Sequence, residues 1–106
     1  MFIKVLDYLG VKTGVKIDNV RAEYDDSTEI VKIYGKLYKM ENYTKKRRRV
    51  RIMCDIIDKD DRLLISQNGK IFGEIDILDK VSFSIIIKNF TLVDWKETSS
   101  LKLYII

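Results

Sequence analysis

The residues best suited to chemistry lie in one basic segment. Between Lys36 and Arg51 the chain carries eight basic side chains and one acidic one, Glu41. The net charge of this segment is +7. Because the whole chain has a net charge of +4, the other 90 residues have a net charge of −3. Tyrosines lie in or beside the same segment. Basic side chains neutralise phosphates and tyrosine rings stack on bases, so the segment is typical of an anion-binding site.

Two interpretations of this segment remain open. In the first it binds an anionic partner, which would be a nucleic acid, a protein or a membrane surface. In the second, residues 45–48 form a solvated loop, and Arg49 and Arg51 lie on the outer face of a strand, where charge prevents edge-to-edge pairing and long stems cover apolar surface. The candidate anion- or partner-binding residues are Lys45, Lys46, Arg47, Arg48, Arg49, Arg51, Tyr38 and Tyr43.

Catalytic and metal chemistry is poorly supported by the residue types. The chain has no histidine and one cysteine, which excludes Ser-His-Asp triads, Cys-His pairs, His-ligated metals and an internal disulfide. The aspartates at 55, 58, 60 and 61 fail the calcium-loop pattern, because the sixth and twelfth positions from Asp55 hold Asp60 and Ser66 instead of Gly and Glu. We therefore predict a protein that is not an enzyme and uses no cofactor or metal, with these aspartates in a turn.

The choice of apolar residues predicts a β protein. The 106 residues include 16 Ile and 8 Val but a single alanine, Ala22. β-Branched side chains lose rotamer freedom in helices and pack well on sheets. Apolar and polar residues also alternate in much of the chain. The seven predicted strands are 15–24, 30–40, 48–57, 63–66, 71–77, 81–88 and 101–106. Short strands at such spacing are typical of an antiparallel sandwich or barrel.

Several local predictions accompany these strands. Phe2, Val5, Leu6 and Leu9 have helical spacing and are followed by Gly10, which predicts a short helix within residues 1–10. Asn68-Gly69 predicts a hairpin turn. Cys54 falls on the apolar side of its strand and is predicted to be a small buried hydrophobe. Trp95 is either a half-buried plug or an exposed partner anchor. The apolar C-terminal strand either pairs within the sheet or offers an edge to a partner or a second copy.

The order of features also resembles a known family. A strand with an internal glycine, Val31–Ile33–Gly35–Leu37, leads through a polar break to a long strand that ends in an acidic turn at 56–60. A short strand pair and a strand beginning Phe83-Ser84-Ile85 follow. Over roughly residues 30–90 this resembles the FxLYD-like group of bacterial domains. The resemblance implies an immunoglobulin-like β-sandwich with an interaction role, no established catalytic residues, and export as a common location.

These observations predict a single domain over residues 1–106, an immunoglobulin-like antiparallel β-sandwich with a short N-terminal helix. The alternative is a five-stranded OB-type barrel, which a basic loop and tyrosines would suit. The predicted function is non-catalytic binding of an unknown protein partner; the alternative is binding of single-stranded nucleic acid or another polyanion through residues 45–51. The sequence shows no signal peptide and no apolar run long enough to span a membrane. We therefore expect a cytoplasmic protein, although the family resemblance leaves export open.

Overall fold

The computed structural model describes residues 2–6, 14–41, 43, 50–75 and 77–106. These residues form eight strands and one short helix. The elements are β1 (Phe2–Leu6), β2 (Val15–Asp25), β3 (Ile30–Lys39), β4 (Ile52–Asp58), β5 (Leu63–Asn68), β6 (Lys70–Phe72), β7 (Lys80–Ile87), α1 (Leu92–Glu97) and β8 (Thr98–Ile105).

The strands form two four-stranded sheets. One has the order β1-β8-β4-β5, and the other has the order β2-β3-β7-β6. All neighbouring strands are antiparallel except β1 and β8, which are parallel. The described residues therefore form an all-β fold of two sheets, which confirms the predicted fold class at that level.

A single hydrophobic core contains inward-facing side chains from both sheets. The predicted alternation is correct in the central strands, where every second residue is buried. The buried apolar positions that alternate in these strands are Val31, Ile33, Leu37, Ile52, Cys54, Ile56, Val81, Phe83, Ile85, Ile87, Leu101, Leu103 and Ile105. Ile57 is buried as well, out of alternation, where the register between β4 and β5 shifts. Burial raises the pKa of the Cys54 thiol to about 12, with a smaller contribution from the charge of Asp55. Cys54 is thus a buried apolar side chain, as predicted.

The predicted N-terminal helix is wrong over the residues that are described. Phe2–Leu6 is strand β1, paired with β8 from Phe2↔Ser100 to Leu6↔Tyr104; residues 1 and 7–10 lie outside the described residues. Five residues are too few to distinguish helical spacing from alternation. Ile3 and Val5 alternate and pack against the core. A short isolated helix gains little in water, whereas β1 bonds its backbone to a buried strand.

The predicted hairpin at Asn68-Gly69 is also wrong, because β5 and β6 belong to different sheets. Tight hairpin turns need positive φ, and neither residue has it. Gly69 instead marks the crossing between the sheets, where its N–H donates to the carbonyl of Ile52 at 2.9 Å. A Cβ on Gly69 would lie 2.5 Å from Ile85 Cγ1 and 2.6 Å from the Ser84 carbonyl oxygen. The glycine is therefore required for a close approach, not for a turn.

The region around Trp95 contains a helix that the sequence analysis did not predict. Thr91 is the N-cap of α1, and its Oγ1 accepts a hydrogen bond from the N–H of Asp94 at 3.1 Å. Trp95 stacks on Tyr24 with ring centroids 5.0 Å apart, and the Tyr24 hydroxyl donates to the Phe90 carbonyl at 2.7 Å. Trp95 is half-buried against the core, so the plug interpretation is correct.

The strand ends differ from the prediction where local backbone geometry intervenes. β6 stops at Phe72 because Gly73 has φ of +127°, whereas the sequence predicts a strand over 71–77. β8 begins at Thr98, directly after α1, and lies between β1 and β4. The C-terminal strand therefore pairs within its sheet instead of forming an edge.

Candidate anion-binding face

The second sheet carries a basic outer surface. In β3 the residues between the core positions point away from the core, and the strand register brings outward residues of β2, β7 and β6 beside them. We call this surface the basic face. It consists of Lys16, Asp18, Arg21, Glu23, Lys32, Tyr34, Lys36, Tyr38, Lys70, Phe72, Lys80, Ser82, Ser84 and Ile86.

Positive charge predominates on the basic face, which has six basic and two acidic side chains. Both acids belong to the edge strand β2, where Asp18 lies opposite Lys36 and Glu23 lies opposite Lys32. Asp18 also forms a salt bridge with Lys16, with Nζ and Oδ2 3.7 Å apart. The part of the face built by β3, β7 and β6 carries cations and no acid. An anion lying across these three strands would meet positive charge throughout.

A shallow groove of about 350 Å³ crosses the basic face. Its floor lies at Ser82 and Ser84, whose short side chains separate Tyr34 and Lys36 on one side from Phe72 on the other. The groove is also lined by Asn19, Arg21, Gly35 and Phe83. Hydroxyls, cations and aromatic rings are thus combined in one depression. This set suits a ligand that has both negative charge and planar apolar groups.

A β-bulge in β2 orients one wall of the groove. The register with β3 shifts between Asp18 and Arg21, so Asn19 and Val20 together lie opposite the single residue Gly35, and β2 has one extra residue at this point. Asn19 has φ of +54°, a left-handed conformation that asparagine tolerates better than most residues. Its N–H donates to Asp18 Oδ1 at 2.8 Å and its Nδ2 donates to the Tyr38 hydroxyl at 2.7 Å. The bulge therefore anchors Tyr38 and turns Arg21 onto the outer face.

On the basic face, the side chain of Lys70 lies over an aromatic ring. The Nζ of Lys70 lies 5.3 Å from the centroid of Phe72, a distance at which cation and ring attract each other. Phe72 is nevertheless 52% exposed. A large apolar ring on an exposed edge strand has surface available for a ligand.

The structure does not bring all the predicted site residues together. Lys45, Lys46, Arg47, Arg48 and Arg49 lie outside the described residues, so the structure gives no geometry for them. The other three candidates, Arg51, Tyr38 and Tyr43, are described and lie in different places.

Arg51 belongs to the other side of the molecule. Its backbone exchanges two hydrogen bonds with Ile106, at 3.2 and 3.0 Å. The neighbouring pair Ile52↔Ile105 is buried in the core. Because successive side chains of a strand point to opposite faces, the exposed Arg51 side chain lies on the outer face of the β1-β8-β4-β5 sheet. Arg51 is therefore separated from the basic face by the core.

The two tyrosine candidates have different surroundings. Tyr38 lies on the basic face and accepts the hydrogen bond from Asn19. Tyr43 packs against the core, and the Nζ of Lys39 lies 5.5 Å from its ring centroid. Tyr43 therefore helps to cover the core, whereas Tyr38 lies on the outer surface of the sheet.

The sequence analysis missed most of the groove residues. The missed set is Asn19, Arg21, Gly35, Phe72, Ser82, Phe83 and Ser84. The signal for the serines was visible, because they alternate with buried residues of β7. The neighbours of β7 were not visible, since strand order depends on contacts between distant segments. Only the structure shows that the serines of β7 lie in one sheet with β2 and β6.

The outer face of the β1-β8-β4-β5 sheet has a smaller polar cluster. Asp55 Oδ1 accepts hydrogen bonds from Ser66 Oγ at 2.6 Å and from the Tyr104 hydroxyl at 3.1 Å. Nearby, Asp58 Oδ1 accepts from the N–H groups of Asp60 and Arg62 at 2.9 and 2.8 Å. The bonds of Asp58 confirm the turn interpretation for Asp58, Asp60 and Asp61. The interpretation is wrong for Asp55, which lies within β4 and bonds across the sheet to side chains of β5 and β8. In the described part of the chain, no group of three or more His, Cys, Asp or Glu side chains could hold a metal ion.

Comparison of this chain with known proteins finds no match. The chain matches no family model, no curated protein and no solved structure. In the ranges that the structure describes, no helix has the length and apolar character needed to cross a membrane.

Proposed function

We propose that this chain is a non-catalytic binding module whose basic face binds single-stranded nucleic acid. The observation that carries the proposal is the groove itself, in which Tyr34 and Phe72 flank two serines beside Arg21 and Lys36. Single-stranded nucleic acids are bound by cationic grooves that follow the phosphates and by aromatic rings that stack on the bases. The basic face supplies both within one sheet.

The charge distribution supports this proposal over a site for a neutral ligand. Lys32, Lys36, Lys70 and Lys80 lie on three adjacent strands with no acid among them. Neighbouring strands are about 4.8 Å apart, so this surface is wide enough to meet several phosphates. Each neutralised phosphate releases counterions and strengthens binding at low salt.

The chemistry of the one cysteine supports a non-catalytic role. Cys54 is buried in the core, and burial raises its pKa to about 12. The thiolate is the reactive form of cysteine, and it is scarce at neutral pH when the pKa is this high. Cys54 therefore suits packing and does not suit nucleophilic catalysis.

The finer fold and the family are part of the proposal. Two packed four-stranded sheets support a sandwich over a five-stranded OB-type barrel. The position of β7 and β8 in different sheets counts against an immunoglobulin-like strand order, in which the last two strands share a sheet. Membership of the FxLYD-like group depends on the sequence resemblance alone.

A protein partner is the second candidate function, and exposed apolar side chains favour it. Phe72, Ile77 and Leu78 are 52%, 74% and 48% exposed. Leu78 lies close to Gly73, since a Cβ on that glycine would be 3.2 Å from Leu78 Cδ1. Aromatic and apolar side chains of this kind anchor protein interfaces.

The test is a fluorescence-anisotropy titration with labelled single-stranded DNA and RNA at about 50 mM salt. We expect Lys36→Ser with Lys70→Ser to weaken binding about tenfold or more, because two phosphate contacts are lost. The matched control is Lys4→Ser with Lys102→Ser, which removes the same charge from the other sheet. Phe72→Ser should also weaken binding, whereas Leu63→Ser, at an apolar site 58% exposed, should not.

Two outcomes would contradict the proposal. The first is the absence of binding by the wild type at 50 mM salt, which would favour a protein partner. The second is an equal loss of affinity in the two double-lysine variants, which would mean that net charge, and not the basic face, determines binding.

A further inference from the structure

The longest strand of the structure lies at a sheet edge. β2 has 11 residues, and its position at the end of the order β2-β3-β7-β6 means that the described strands pair with it on one side only. An edge strand presents backbone N–H and C=O groups that can pair with another chain. The other edge of this sheet, β6, has three residues. The edge of β2 is therefore the larger surface for strand addition.

The outward charges of β2 are arranged as their own complement. They alternate in sign from Lys16 through Asp18 and Arg21 to Glu23, and a further acid, Asp25, ends the strand. In an antiparallel pair of two β2 strands centred between Asn19 and Val20, Lys16 lies opposite Glu23 and Asp18 lies opposite Arg21. Symmetry repeats both pairs, so four oppositely charged pairs form. Opposite charges at facing positions stabilise a pair of strands, and like charges destabilise it.

The bulge makes this register compatible with the pleat. Residues 16 and 23 are separated by an odd number of positions, so they would point to opposite faces of a regular strand. The extra residue at the bulge reverses the alternation. Lys16 and Glu23 therefore both point outward. On the inner side, Val15 and Ile17 then lie opposite Tyr24 and Ala22. Both copies have the same insertion at the centre, so the two halves stay in register.

Neighbouring registers are disfavoured by the same charges. A shift of two residues in one direction places Lys16 opposite Arg21, and a shift in the other direction places Asp18 opposite Glu23. Each shifted pairing brings like charges together twice, and in the second one two Lys16–Asp25 pairs only offset that repulsion, whereas the proposed register has four attractive pairs and no repulsive one. The sequence of β2 thus favours one antiparallel register over those beside it.

We propose that β2 pairs with β2 of a second copy of this chain, which joins two four-stranded sheets into one continuous sheet of eight strands. The two-fold axis passes between Asn19 and Val20, perpendicular to the sheet. Both basic faces then lie on the same side of the dimer. The proposal concerns self-association and does not depend on nucleic-acid binding.

The experiment uses sedimentation velocity over a range of protein concentrations at about 50 mM salt, without nucleic acid. We expect a reversible dimer of the wild type. Lys16→Glu and Glu23→Lys each place like charges opposite each other twice, and each variant alone should dimerise about tenfold or more weakly. An equimolar mixture of the two variants restores all four complementary pairs, so it should form a heterodimer that native mass spectrometry identifies by mass.

The matched control is Lys70→Glu, which makes the same charge change on the opposite edge of the same sheet. It should leave the dimer unchanged. Asp18→Arg and Arg21→Asp form a second pair for the same mixing experiment, in case one variant of the first pair does not fold. A wild type that stays monomeric up to about 1 mM, a mixture that fails to form a heterodimer, or an equal effect of Lys70→Glu would overturn the proposal.

Discussion

Gly35 lies next to the ring of Phe83, which leaves no room for a side chain at position 35. A Cβ at Gly35 would lie 2.5 Å from Cζ and 2.6 Å from Cε1 of Phe83, its cross-strand neighbour. Phe83 is almost fully buried, so its ring has little room to move. The absence of a side chain at position 35 therefore allows the ring to fill the core beneath the groove.

We predict that Gly35→Ala destabilises the protein by about 1–3 kcal/mol, the usual cost of overpacking a core. Phe83→Leu removes the atoms that the new methyl group would meet. Gly35→Ala should therefore cost less in the Phe83→Leu background than in the wild type. Urea unfolding of the four proteins measures both differences, and equal costs in the two backgrounds would show that the ring is not what the glycine accommodates.

The buried thiol of Cys54 gives a prediction about reactivity and pH. Its pKa is raised to about 12, so the folded state binds the proton more tightly than the unfolded chain, where the pKa is about 8.5–9. The stability associated with this proton is complete at neutral pH and is lost as the pH rises from about 9 towards 12.

We expect Cys54 to resist an aromatic disulfide reagent at pH 8 and to react fully in denaturant. The alkaline loss of stability should be smaller in Cys54→Ala than in the wild type, because the alanine has no proton to lose. Thiol titration and urea unfolding at pH 8 and pH 10 measure these effects. Rapid reaction of the folded protein would contradict the burial of this side chain.

At the scale of elements, the strand β4 shows what alternation predicts well. Ile52, Cys54 and Ile56 are buried, as the sequence predicts, because one face of each central strand must meet the core. Alternation does not determine the partner of a strand. The hairpin at Asn68-Gly69 and the helix within residues 1–10 were both inferred from local signals. The helix is wrong over residues 2–6 because β1 pairs with the distant strand β8, and the hairpin is wrong because β6 pairs with β7 and not with β5.

The register of β4 can be tested with two neighbouring positions. Ile52→Asp places an unpaired charge in the core and should abolish cooperative unfolding, since an isolated buried charge costs several kcal/mol. Arg51→Asp, one residue away and exposed, should change stability by about 0.5 kcal/mol or less. Thermal unfolding followed by circular dichroism measures both. A cooperative transition of Ile52→Asp at the wild-type temperature would mean that the register is wrong.

At the scale of the whole molecule, the two sheets separate candidate binding residues that the sequence places together. Tyr38 lies on the basic face and Arg51 on the opposite sheet, although the sequence places both in one basic segment. The alternation of Lys32, Tyr34, Lys36 and Tyr38 with core positions could be predicted. Their grouping with Arg21, Phe72 and the serines could not, because it depends on the order β2-β3-β7-β6.

The most direct measurement is the salt dependence of binding to a single-stranded oligonucleotide, by fluorescence anisotropy from about 50 to 200 mM salt. The affinity of the wild type should fall linearly on logarithmic axes, with a slope of about −0.7 for each phosphate neutralised. Lys36→Ser with Lys70→Ser should make that slope shallower by about 1.4, and Lys4→Ser with Lys102→Ser should leave it unchanged. The same slope for all three proteins would contradict the assignment of binding to the basic face.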